Sequence, residues 1–215
     1  MGFLDGLLGR RKPTRPNLDA LFALPTAAIS LQVSLDLMPT GQGAVAFRAA
    51  EGRAFADVEA EVTALLEAGG GPRVRLESDS YGYTWLVVST DPPDLSAVVT
   101  DLHAVNVTLT ENGFGPQLLC TLVPFRDPRG GLVALVYLYK RGTFYPFAPQ
   151  GSDPQGSDPQ GSDPQGSDPQ GSDPQGNQRR DSVRELQVRD LLRGEIPWEE
   201  DLSRWFPVWG APGTT

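Results

Sequence analysis

The 215-residue sequence has one cysteine, Cys120, and one histidine, His103. A lone cysteine cannot close an intrachain disulfide or build a multi-cysteine zinc site, which excludes a disulfide-stapled secreted scaffold and makes a reducing compartment the expectation. A lone histidine excludes the clustered-histidine metal hydrolases, and any Ser-His-Asp chemistry would have to pass through His103. No Gly-x-Gly-x-x-Gly opens a helix after a strand and no Gly-Lys-Ser loop occurs, so Gly69–Gly71 and Gly130-Gly131 read as turns and no cofactor is expected. Positive charge is also scarce. The 18 Lys and Arg face 27 Asp and Glu, a net charge of −9, so phosphate backbones would find weak attraction and nucleic acid is not an expected partner. There is no run of 18 apolar residues and no signal-peptide core after the N-terminus, which predicts neither a membrane span nor export, and hence a cytoplasmic protein.

What the chain does have is a tandem repeat. From Gly151 to Gln175 it reads Gly-Ser-Asp-Pro-Gln five times without substitution, and Pro149-Gln150 resembles a partial copy. The unit has no apolar position, so it cannot offset an ordering cost of roughly 1–2 kcal/mol per residue, and it reads as a disordered linker over 148–180. A coil of this length has a mean span of about 25–30 Å. The repeat holds five aspartates, which leaves the other 190 residues at −4 and the folded part only mildly acidic.

Residues 17–147 read as an α+β body. Ile29, Leu31, Val33, Leu35 and Leu37 alternate with polar residues, which predicts a half-buried strand, and 44–49 predicts a second beyond the turn at 39–43. Helical spacing of Phe55, Val58, Val62, Leu65 and Leu66 predicts a helix over 54–68. Arg73 to Glu77 and Tyr83 to Thr90 read as a hairpin; Asp94 caps a helix that ends at Asn112-Gly113. Leu118 to Phe125 and Leu132 to Tyr139 flank a further turn. Short turns permit hairpins but not parallel crossovers, so the expected body is a mostly antiparallel sheet with helices on one face. Tyr137, Tyr139, Phe144 and Tyr145 interleave with Lys140 and Arg141, a pattern better explained by cross-strand aromatic packing than by base stacking in so acidic a chain.

Both ends carry candidate interaction segments. In residues 1–16, Phe3, Leu4, Leu7 and Leu8 share one side of a helix and precede Arg10, Arg11 and Lys12, which fits an interfacial membrane anchor or a segment docked on its own core. In residues 181–215, Ser182-x-x-Glu185 opens a helix with Val183, Leu186, Leu191 and Leu192, and three of the four tryptophans follow. Trp198, Leu202 and Trp205 fall on one side of a short helix, with Phe206 and Trp209 beyond it, so this tail packs on its own body or on a partner protein. His103 with Asp101 is the candidate acid–base pair, although no nucleophile stands at a required spacing to them. Cys120 lies within an apolar strand and reads as a small hydrophobe.

Several of these stretches carry a resemblance: Met1-Gly2-Phe3-Leu4-Asp5, residues 18–25, Asp101 to Asn106, Val136 to Phe147, and Asp201 to Gly210. Together they resemble the PspA-associated protein PspAB family, found chiefly in actinobacteria and associated by name with the phage-shock envelope-stress system. The resemblance implies a PspA-like protein or another envelope-stress component as partner, and supplies no catalytic motif. The expected function is a non-enzymatic cytoplasmic accessory acting through protein–protein contacts, with peripheral contact to the inner face of the cell membrane through residues 3–12. The alternative is a small hydrolase or ligand-binding enzyme using His103 with a nearby acid such as Asp101, and it requires those residues to share a pocket.

Overall fold

A computed structural model of the chain describes residues 16–48, 60, 62–64, 73–79, 81–150 and 179–214. The N-terminal segment with Phe3 to Lys12 and the five repeats lie outside the described residues. So does most of the helix expected over 54–68, of which residues 60 and 62–64 are described and helical.

The first element differs from the sequence expectation. Where alternation predicted a strand over 29–37, a 3-10 turn at Leu18–Ala23 runs directly into helix α1, Leu24–Leu35. Leu24, Ala27, Ala28 and Leu31 are buried at helical spacing, whereas Ile29 and Val33 are 63% and 80% exposed. The alternating pattern counted only large side chains, while two alanines complete the buried stripe. Pro25 suits the first helical turn. At the other end Asp36 adopts a left-handed φ of 54°, and Leu37 N–H donates back to Leu31 O at 3.3 Å, the six-to-one bond that stops a helix. The helical stretch Leu18–Leu35, although interrupted by polar residues, is long and apolar enough, by length and composition, to cross a membrane. A core helix meets the same criterion, and here Leu21, Leu24, Ala27 and Leu31 lie fully buried in the core.

Beyond it the expected α+β body is present. Strands β1 (Met38–Pro39), β2 (Gln42–Phe47), β3 (Arg73–Ser78), β4 (Thr84–Ser89), β5 (Leu118–Arg126), β6 (Leu132–Leu138) and β7 (Thr143–Phe147) form one sheet in the order β3-β4-β2-β5-β6-β7, with β1 on β5. The pairings between these strands are antiparallel. Helix α2, Leu95–Glu111, starts as predicted: the Asp94 carboxylate accepts from Ala97 N–H at 3.0 Å. It lies so close over β2 that a Cβ on Gly43 would stand 2.6 Å from Leu102 Cδ1. The Tyr137–Phe144 pair confirms the cross-strand aromatic reading: the two are register partners with ring centroids 5.0 Å apart.

The sheet separates two cores because successive side chains point to opposite faces. Val45, Leu86, Val123, Leu135 and Phe144 join α1 and α2 on one face. Ala46, Trp85, Leu122, Val136 and Tyr145 belong to the other, which Trp205, Trp209 and Ala211 of the tail cover. Helices thus occupy one face, as expected, and the far face is roofed by irregular chain.

The tail enters through strands β8 (Pro149–Gln150) and β9 (Arg179–Arg180), which pair antiparallel. Gln150 and Arg179 are therefore neighbours. Helix α3, Ser182–Leu191, follows. Its cap is Asp181, which accepts from Arg184 N–H at 2.9 Å, and Glu185 turns instead to the body. Its buried residues are Glu185 and Val188, whereas Val183 and Leu186 of the expected apolar set are exposed. Of the short helix expected over 198–206 only a 3-10 turn, Leu202–Arg204, forms.

Candidate functional site

The tail and the sheet together enclose a cavity of about 640 Å³ at one end of the far sheet face. Its floor comes from strand ends: Trp85 of β4, Ala46 of β2, Cys120 of β5, Leu138 of β6 and Tyr145 of β7. Tyr81 and Tyr83 of the β3–β4 turn wall one end, and the tail from Phe206 to Trp209 walls the side. The β6–β7 turn adds Lys140 and Arg141, and the tail adds Arg204. Such a volume is ordinary for a small-molecule site, and the lining is mainly aromatic and aliphatic.

Local chemistry holds the walls. In the β3–β4 turn Asp79 accepts from Tyr81 N–H and Tyr83 N–H through Oδ1 and from the Trp85 indole through Oδ2, all at 2.9 Å, a side-chain-stabilised turn that fixes both tyrosines. On the tail side the Trp205 ring stacks on Tyr145 at 6.3 Å between centroids, and Trp209 meets Phe147 edge-on at 4.9 Å. The Trp205 indole donates to Glu199 O, and Tyr145 hydroxyl donates to Phe206 O, both at 2.8 Å. With their polar tips engaged, Trp205 and Tyr145 make a stiff wall, whereas the buried Trp209 indole N–H has no hydrogen-bond partner among the described residues. Burial pushes the Cys120 thiol up to about 12, with the nearby Asp79 charge adding to it, so this cysteine lines the cavity as a thiol and a poor nucleophile.

Two buried carboxylates anchor the tail. Glu185 accepts from Ala148 N–H at 2.9 Å and from the Arg180 guanidinium through both oxygens, at 2.9 and 2.8 Å. Arg180 also donates to Trp205 O at 2.6 Å, which ties the sheet rim, β9 and the tryptophan together. Burial raises the Glu185 carboxyl despite those bonds. Glu199, equally buried, receives the Nε of Arg141 and the Thr143 hydroxyl at 3.2 Å. Backbone bonds from Phe144 N–H to Pro197 O at 2.7 Å and from Glu199 N–H to Phe144 O at 2.8 Å lay the tail along β7.

The profile of PspA associated protein B (PspAB) matches residues 1–160 and 172–213. The chain belongs to the PspAB family. No curated protein and no solved structure matches it. Membership links this chain to PspA, as the resemblance implied, and gives the phage-shock association its footing.

Within this PspAB fold the predicted residues fall into distinct places. Trp198, Trp205 and Trp209 are buried, the first in the helix-side core and the other two on the far face. Leu202 and Phe206 stand 54% and 60% exposed, so the five candidates do not form one surface. His103 faces neither the cavity nor Asp101. Its ring lies 4.7 Å from that of Phe22, and its Nε2 is 3.4 Å from Asp19 Oδ1. Asp101, raised by burial, is two positions away on α2, a separation that turns side chains to different sides of a helix. Sequence reasoning missed the cavity because five strand ends and the tail meet there only in three dimensions. The local signal is Asp79 followed by Tyr81 and Tyr83, a turn pattern that by itself does not show that its tyrosines wall a cavity.

Proposed function

We propose that this chain is a non-enzymatic cytoplasmic accessory of the PspA-type envelope-stress response, acting by contact with PspA or another component of that system. The family match carries the reading. It is supported by the exposed Leu202 and Phe206, two large apolar side chains on a tail whose tryptophans hold it to the body. Apolar side chains displayed on an anchored segment suit recognition better than folding. Peripheral membrane contact through Phe3, Leu4, Leu7 and Leu8 with Arg10, Arg11 and Lys12 belongs to the same proposal.

An affinity pull-down from the native cell tests it, using the full chain and the Leu202→Ser, Phe206→Ser double variant. Recovery of PspA with the wild type, and its loss with a variant that unfolds at the wild-type temperature, is the expected result. Equal recovery with both places the contact elsewhere; no recovery of PspA with the wild type rejects the reading.

A further inference from the structure

The cavity on the far face is polarised along its length. It crosses β4, β2, β5, β6 and β7 at one end of the sheet, four strand intervals or about 19 Å. Its floor is apolar throughout, and its cations gather at the β7 end: Lys140, Arg141 and Arg204. Its acid, Asp79, sits at the β4 end with both oxygens taken by the N–H groups of Tyr81, Tyr83 and the Trp85 indole. Arg204 is occupied by Glu199 and Asp201. Arg141 uses Nε on Glu199, and among the described residues no ion pair engages Lys140. One end of an elongated apolar trough therefore offers an unpaired ammonium beside a guanidinium with donors to spare, a geometry suited to a carboxylate.

We propose that this cavity binds a single-chain anionic amphiphile of the long-chain carboxylate class, its chain along the floor over Trp85 and Leu138 and its headgroup at Lys140 and Arg141. The cavity volume is of the order that encloses a small molecule, about 300–1,000 Å³, and a neutral ligand would leave the cationic end unused. The inference stands on the cavity's own lining and shares only Phe206 with the proposed PspA contact.

Titration of the full-length protein with sodium laurate below its micelle concentration, read by calorimetry and by tryptophan fluorescence, tests it. Saturable one-to-one binding is expected. Lys140→Glu should weaken laurate about tenfold, the order for reversing one exposed charge beside the ligand, and leave dodecanol affinity unchanged. Leu138→Trp should abolish binding by filling the floor; should that variant unfold, the wild-type titration and the exposed Lys140→Glu substitution decide. Absence of saturable binding to the wild type overturns the proposal, as does equal affinity for laurate and dodecanol. Binding to phosphatidylglycerol vesicles without binding to monomeric laurate also overturns it and assigns the surface to a bilayer.

Discussion

Single side chains hold the tail in place. Trp205 contributes a buried ring on Tyr145 and an indole bond to Glu199 O. Trp205→Ala should therefore destabilise the protein by about 3–5 kcal/mol, the range for large buried aromatics, measured by denaturant unfolding; a variant with wild-type stability would mean that the ring does not pack as described. A second anchor is electrostatic. Arg184 on α3 donates to Asp127 in the β5–β6 turn at 2.5 Å, and Asp127 also accepts from Gly131 N–H and Arg129 N–H. Burial alone would raise the Asp127 carboxyl, but these bonds outweigh it and hold the group below its ordinary value of 3.8. A lowered folded value means that the unfolded chain binds the proton more readily. The contribution is present above 3.8 and is lost as pH falls through the lower folded value. Wild type should exceed Asp127→Asn by about 1 kcal/mol at pH 7, and the two should converge in acid, as pH-dependent unfolding curves would show. A gap that persisted in acid would point to packing instead of charge.

At the level of elements, legibility followed how local each signal was. The α2 cap at Asp94, its stop at Asn112-Gly113, and both hairpins were readable because turn and cap chemistry lies within a few residues. Helix α1 departs from the alternating pattern because its buried stripe depends on Ala27 and Ala28, which carry little weight beside Ile29 and Val33. Strand β7 was seen only as aromatic residues among cations; its pairing with β6 on one side and with the tail on the other supplies the order. Glu199 was invisible as a site residue because its partners, Arg141 and Thr143, are more than fifty positions away. The N-terminal segment gives a separate prediction at this scale. Burying four large apolar side chains gains roughly 6–10 kcal/mol, about what ordering nine residues costs, so the cations Arg10, Arg11, Lys12 and Arg15 decide the outcome. Vesicle co-sedimentation should show weak binding to anionic lipid that vanishes at high salt or on neutral lipid; binding insensitive to both would remove this mechanism.

For the whole molecule, the arrangement is a sheet with helices on one face and a returning tail on the other, and the return begins where β8 meets β9. The residues between Gln150 and Arg179 have almost no distance to bridge, because those two are register partners. Deleting Gly151 to Gln175 leaves Gly176-Asn177-Gln178 between them, a length and composition that suit a hairpin loop. Loop closure changes by only about 0.6 kcal/mol per doubling of length. The deletion should therefore be as stable as the wild type in denaturant unfolding, or more stable by up to about 2 kcal/mol; a loss of more than about 1 kcal/mol would show that the repeat makes contacts. The paired mouth has a practical consequence as well. A change in the number of repeat units between Gln150 and Arg179 leaves the register of β8 on β9 with the same two partners to pair. The same mouth is a ready port for inserting an epitope or a fluorophore, because Gln150 and Arg179 are already register partners.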